Sequence, residues 1–181
     1  NKTQLKIFNT LTTMNQLVAG IDIGGTNILF GLVDSEGEIR VKQSIPTGNL
    51  STPEMIVTSL GAEIRKAVAS IGSNYELAGI GIGAPNGNYY TGTIEFAANL
   101  KWDGIIPLAR LFQDELGVEA ILTNDAKAAT LGEMIFGGAR GMKNFLFITL
   151  GTGLGSGIVV NGELVHGHDG FAGEIGHMIV E

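Results

Sequence analysis

Two short runs in this chain place glycines and a threonine directly after apolar residues: "DIGGTN", Asp22–Asn27, and "GTGLG", Gly151–Gly155. Glycine in such a place allows close backbone approach, and phosphate is the commonest group to need it. The familiar phosphate loops run from a strand into a helix. The first run is followed instead by Ile28-Leu29-Phe30-Gly31-Leu32-Val33, which is β-prone, with neither Gly-Lys-Ser/Thr nor a G-x-G-x-x-G spacing. Both runs therefore read as turns between two strands. Gly24, Gly25, Thr26 and Asn27 in the first, with Gly151, Thr152, Gly153 and Gly155 in the second, form two jaws that hold a polyphosphate by main-chain N–H groups and hydroxyls. Asp22 is placed to meet Mg²⁺ through water, because Mg²⁺ takes few protein oxygens alongside phosphates. The plain alternative is a pair of tight hairpin turns with a solvated aspartate.

Two further groups carry acid–base or hydrogen-bonding chemistry. Asn124-Asp125 stands where an apolar strand meets an alanine-rich helix. Asp or Asn there is an ordinary helix cap, yet the carboxyl ends of strands in α/β sheets are also where ligands bind. Glu174 and His177 are three residues apart in "GEIGH" and share one side of a helical turn. By themselves they read as an exposed acid and a surface histidine. His166 and His168 flank Gly167 in a loop and read as unremarkable, and Trp102 reads as packing.

The elements that must position these residues follow from periodicity. Val18–Ile23, Ile28–Val33 and Glu38–Ser44 read as three strands. Thr52-Pro53 starts a helix whose Ile56, Leu60, Ile64, Val68 and Ile71 recur at helical spacing up to Gly72. Leu77–Ile82 is an apolar strand, and Gly83–Asn88 a loop. Tyr89–Phe96 reads as a small hairpin, and Ile106–Leu116 as an amphipathic helix ended by Gly117. Val118–Leu122 is a strand, and Ala126–Phe136 a helix. Phe145–Leu150 is then a strand, Gly151–Gly157 a turn, and Ile158–Val160 and Glu163–Val165 a hairpin about Asn161-Gly162. Strand, Gly-Thr turn, strand, turn, strand thus occurs twice, about 130 residues apart. The pattern predicts an α/β fold with a mixed sheet, flanking helices and a duplicated unit.

The chain has 181 residues, a net charge of −7 and no cysteine. The charge argues against a nucleic-acid partner. The missing cysteines exclude disulfides and thiolate-held metal within the chain, and fit a cytoplasmic protein. No apolar run is long enough for a signal peptide or a membrane span. Residues 1–17 read as an N-terminal arm, 18–140 as one domain and 141–181 as the start of a second.

The motifs "IDIGGTN", "GIGAPNG", "ILTNDAKAATLGE", "LGTGLGSGIVVNGELVHG" and "AGEIGHM", in this order, closely resemble the ROK family of bacterial sugar kinases and sugar-responsive repressors, from about Val18 to the end of the chain. The resemblance implies a ribonuclease H-like, actin-type ATPase fold whose second copy is incomplete here. It also implies ATP-dependent phosphorylation of a hexose at its 6-hydroxyl, glucose first, with N-acetylglucosamine or N-acetylmannosamine as alternatives. Asp125 becomes the base that accepts the sugar hydroxyl proton. Asn124, Glu174, His177 and Asn99 of "FAANLKW" become sugar ligands. ATP, Mg²⁺ and, in a longer chain, a structural Zn²⁺ on His177 are the implied cofactors, though the cysteines of that zinc loop are missing from this sequence. The expected partners are small molecules, with a homodimer or tetramer as the assembly, and neither nucleic acid nor membrane. A repressor would carry a DNA-binding domain ahead of the first hairpin, where the sequence shows only 17 residues before Val18. A structural actin-like ATPase leaves the Glu-x-x-His segment unexplained.

Overall fold

The computed structural model describes residues 14–47, 52–97, 100, 102–151 and 153–179. Its centre is a five-stranded sheet in the order β3-β2-β1-β4-β8, with β8 at Glu119–Asn124. Strands β1 (Asn15–Ile23), β2 (Asn27–Asp34) and β3 (Ile39–Pro46) form an antiparallel meander, and β4 (Tyr75–Ala84) joins β1 in parallel. The sheet begins at Asn15, paired with Tyr75, so Asn15–Leu17 belong to it and not to the expected arm.

Period-2 alternation decides which face is packed. In β1 and β2, Leu17, Ala19, Ile21, Ile23, Ile28, Phe30 and Leu32 are buried on one face. Helix α1 (Pro53–Ile71) covers that face with Ile56, Leu60 and Ile64. Its start is as read: Thr52 Oγ1 accepts from Met55 N at 3.3 Å, with proline in the first turn. Helix α2 (Leu108–Leu116) adds Leu108 and Phe112 to the same core and ends at Gly117 in the left-handed region, φ 71°. It starts two residues later than its apolar pattern suggests. Ile105–Ile106 is instead a short strand, β7, which pairs with β6 (Thr93–Glu95) ahead of Pro107. Trp102 is buried in this core.

The hairpin expected over Tyr89–Phe96 is shifted: β5 is Gly87–Asn88 and β6 is Thr93–Glu95, with the tyrosines in the turn. Strand β8 (Glu119–Asn124) lies parallel to β4 and leads directly into α3 (Asp125–Ile135). Helix α3 packs on the other face of the sheet, where a Cβ on Gly83 would stand 3.3 Å from Ala128 Cβ.

A second meander, in the order β11-β10-β9, follows with β9 (Phe145–Leu150), β10 (Leu154–Val160) and β11 (Glu163–Leu164). It repeats the strand order of the first. The turn between β9 and β10 is shorter than the seven glycine-rich residues suggest, because pairing resumes with Leu154 opposite Leu150. Gly155 and Gly157 are strand residues beneath α3. A Cβ on Gly155 would stand 2.6 Å from Thr149 Oγ1 and 2.8 Å from Ala126 Cβ, and one on Gly157 would strike Thr130. Gly155 is therefore required by helix packing and lies outside the turn. Among the described residues, no helix is long and apolar enough to cross a membrane.

Candidate active site

The parallel strands β1, β4 and β8 end at Ile23, Ala84 and Asn124 on one side of the sheet. Register sets Asp22 beside Gly83, and Gly83 beside Thr123. Two acidic residues on different elements thereby meet at one opening. Asp22, Gly83, Asp125, Thr149 and Lys42 line a single groove of about 530 Å³. Thr149 belongs to β9, so the second meander closes on the same groove as the first.

Asn124 and Asp125 have different tasks. Asn124 is buried and caps α3, its Oδ1 accepting from Ala126 N at 2.9 Å and Lys127 N at 3.3 Å. Asp125 is exposed in the first helical turn, where one carboxylate oxygen accepts from Ala126 N at 2.7 Å and the other has no partner among the described residues. The cap reading thus applies to Asn124 and leaves the Asp125 carboxylate available. Asp22 is affected by this neighbour. Its carboxyl pKa is raised, first by partial burial at the strand end and then by the charge of Asp125.

The first glycine turn is braced from β3. Thr47 Oγ1 donates to Thr26 O at 2.7 Å and Gly25 O at 3.1 Å, and Thr47 N donates to Thr26 O at 3.0 Å. Gly24 N–H is consumed inside the turn by Asn27 O at 3.1 Å, and a Cβ there would lie 2.6 Å from that oxygen. The N–H groups of Gly25 and Thr26 have no backbone partner among the described residues, and Gly25, Thr26 and Asn27 are exposed. In the second turn Gly151 N–H donates to Gly153 O at 3.0 Å. A Cβ on Gly151 or Gly153 would meet nothing within 4 Å. These two glycines face open space, whereas Gly24 and Gly155 have steric reasons to be glycine. Thr152 and Asn99 lie outside the described residues.

Glu174 stands just before a single 3₁₀ turn, Ile175–His177. Its Oε2 lies 4.0 Å from His177 Nε2, with about a third of the Glu174 side chain and most of the His177 side chain exposed. Expected as partners on a helical turn, they do lie on one side of it. The loop before Glu174 is held from several elements. Ser156 Oγ of β10 donates to Gly173 O, Asn88 Nδ2 of β5 to Asp169 O at 3.0 Å, and Tyr90 Oη to Gly167 O at 3.0 Å. His166 stacks on Tyr89 with ring centroids 4.1 Å apart, and its Nδ1 is buried without a hydrogen-bond partner among the described residues. Burial first and the Lys127 charge second hold the His166 pKa below its ordinary value.

Lys127 is the residue that sequence reasoning passed over. It is 1% exposed, and its Nζ donates to Gly170 O at 2.6 Å. Burial lowers its pKa, and Glu174 opposes that by favouring the charged form. A lysine in an alanine-rich helix ordinarily reads as solvated. Only its place two residues after Asp125 hints at the cleft.

A profile described as the ROK family matches residues 18–181. The chain belongs to the ROK family. The glucokinase of Halalkalibacterium halodurans is 42% identical over 163 residues, covering 89% of this chain and 49% of that protein. A ROK family glucokinase from Streptomyces griseus, solved in complex with glucose and AMPPNP, has 38% identity and a TM-score of 0.75, covering 91% of this chain and 51% of that one. The xylose repressor of Bacillus subtilis is 33% identical, covering 90% of this chain and 42% of that protein. The chain spans about half the length of the curated glucokinases it matches.

The donor sets bear on the implied metals. Asp22 and Asp125 at the mouth of one groove fit Mg²⁺, which needs one or two carboxylates and takes its other oxygens from water and phosphate. Zn²⁺ takes about four Cys, His or carboxylate ligands, whereas the sequence has no cysteine and the described residues form no cluster of three or more candidate ligands around His177 or elsewhere, so the described residues alone do not fit it.

Proposed function

We propose that this chain supplies the catalytic base and both glycine-turn phosphate jaws of an ATP-dependent hexose kinase acting on the sugar's 6-hydroxyl, with glucose as the first substrate to test. The reading rests most on Asp125. Its carboxylate is exposed, it is not needed as the helix cap, and it shares a groove with Asp22 and the second hairpin. The identity to glucokinases supports the choice of reaction and of sugar.

Phosphoryl transfer asks for in-line positioning, charge neutralisation and an acceptor for the nucleophile's proton. In this reading the sugar 6-oxygen attacks the γ-phosphorus, its proton passes to Asp125, and ADP departs. Asn124 keeps Oδ1 in the cap and offers Nδ2 to a neighbouring hydroxyl. Glu174 and His177 bind further hydroxyls, as does Asn99. Gly25, Thr26, Gly151, Thr152 and Gly153 face the phosphates, with Gly24 and Asn27 shaping the first turn. Mg²⁺ beside Asp22 would supply charge neutralisation on the phosphate oxygens. A division into domains near residue 140, a cytoplasmic location and a homodimer or tetramer accompany this reading.

A second reading, a sugar-binding repressor without turnover, draws on the identity to the xylose repressor. N-acetylated hexosamines remain the alternative kinase substrates. A coupled ADP-release assay over glucose, N-acetylglucosamine, N-acetylmannosamine and xylose, on the longest natural form carrying this chain, separates them. Turnover with one hexose supports the kinase. Sugar binding with no turnover on any of them supports the repressor.

A further inference from the structure

The first turn of α3 breaks two local rules at one residue. Lys127 is the third residue after the Asn124 cap, and cations are disfavoured at a helix N-terminus, where the peptide dipoles present positive charge. It is also almost wholly buried, which penalises an ammonium group. Sequences that contradict local preference in this way tend to do so at functional sites.

The surroundings show what the charge is set against. Nζ donates to Gly170 O, in the loop that runs to Glu174, and the Glu174 carboxylate favours the charged form of the lysine. The two other Nζ protons have no protein partner among the described residues. The same loop is fastened by Asn88, Tyr90 and Ser156, but those contacts come from other elements. Among the described residues, Lys127 provides the one hydrogen bond from this loop to the helix that carries Asp125. At 1% exposure the side chain is closed off from the groove's solvent-accessible surface.

We infer that Lys127 is a positioning residue for the sugar: it ties the loop before Glu174 to the first turn of α3, so that the Glu174 carboxylate and the Asp125 carboxylate hold a fixed relation to one substrate. This rests on the proposed sugar kinase reading, with Lys127 acting through Glu174.

The test is a double-mutant cycle in the longest natural form of the protein, read by calorimetric glucose affinity and by steady-state constants for glucose and ATP. The variants are Lys127→Met, Lys127→Gln, Glu174→Ala and Lys127→Met with Glu174→Ala. Lys127→Met weakens glucose binding by about 10-fold, within the range for residues in direct contact, and leaves the ATP KM within about 2-fold. In the Glu174→Ala background the same change has less than about a 2-fold effect, an outcome a general structural role does not produce. Lys127→Gln keeps a donor for Gly170 O and recovers part of the loss. It also serves as the folded variant if Lys127→Met proves unstable by thermal unfolding. Equal glucose affinity in folded Lys127→Met or Lys127→Gln and wild type overturns the inference while leaving the kinase reading intact. So does a loss that simply adds to that of Glu174→Ala. Wild type that binds none of the tested sugars overturns the functional reading, and this inference with it.

Discussion

Asp22 and Asp125 come from elements about one hundred residues apart in sequence and line the same groove, where partial burial first and the charge of Asp125 second raise the pKa of Asp22. Each backbone position is at the end of a regular element, so the framework holds the two side chains at one groove.

That relationship has a pH signature. A carboxyl whose folded pKa lies above its unfolded value holds its proton more tightly when folded. Its contribution therefore favours folding below the ordinary value of about 3.9, and this stability is lost as pH rises through the raised folded value. Asp22→Asn removes this loss. Without nucleotide, the variant should unfold at a higher temperature than wild type near neutral pH, with the difference shrinking towards acid. Melting curves across pH 4 to 8 check it, and a neutral-pH Tm below wild type contradicts the assigned repulsion.

The glycines separate into two groups by what a side chain would meet. Gly155→Ala forces a Cβ against Thr149 and Ala126 and should destabilise the fold by about 1–3 kcal/mol, the usual cost of overpacking. Gly153→Val has open space around it and should leave stability nearly unchanged while weakening ATP binding, if that turn faces phosphate. Thermal unfolding paired with nucleotide calorimetry distinguishes the two, and unchanged ATP affinity in folded Gly153→Val removes the second jaw.

Lys127 has a lowered pKa, so the folded state binds its proton less tightly than the unfolded chain. Stability should rise with pH from the lowered folded value up to the ordinary lysine value of about 10.4. Lys127→Met should flatten that part of the profile, as measured by denaturant unfolding on the alkaline side of neutrality. A wild-type profile already flat there contradicts a buried, charged Lys127.

These contrasts show what the sequence could carry. The Thr52 cap, the Gly117 stop, the parallel strand leading into Asn124-Asp125 and the two Gly-Thr hairpins were legible because each depends on local backbone preference. The role of Gly155 was not, since the reason for it sits in α3, about thirty residues earlier. The same holds for Lys127, whose partner Gly170 comes 43 residues later. His166 reads as an ordinary loop histidine until Tyr89 is found stacked on it. Periodicity also misplaced the start of α2, because Ile105–Ile106 satisfies a strand ladder as well as a helix face. The assignment of sugar contacts to Glu174 and His177 came from family resemblance, as their spacing alone does not distinguish a ligand pair from surface residues.

Glu174 should bear on the sugar far more than on the nucleotide. Losing a charged hydrogen bond is worth on the order of 1.5–3 kcal/mol, so Glu174→Ala should raise the hexose KM by roughly 10- to 150-fold with little change in the ATP KM. Initial rates with each substrate varied in turn provide the measurement. Equal effects on both would mean that Glu174 supports the fold.

The central claim is that Asp125 accepts the hydroxyl proton, and Asp125→Asn tests it most directly. Asn124 supplies the helix cap, so the substitution leaves the capping bonds in place, and the amide oxygen can still accept the bond from Ala126 N. Thermal stability and glucose affinity should therefore hold, while kcat falls by about 10²- to 10⁴-fold, the usual contribution of a general base. The measurement is kcat with saturating glucose and ATP on wild type and Asp125→Asn, using the longest natural form of the protein. A folded variant that binds glucose and turns over at a near-normal rate contradicts the account.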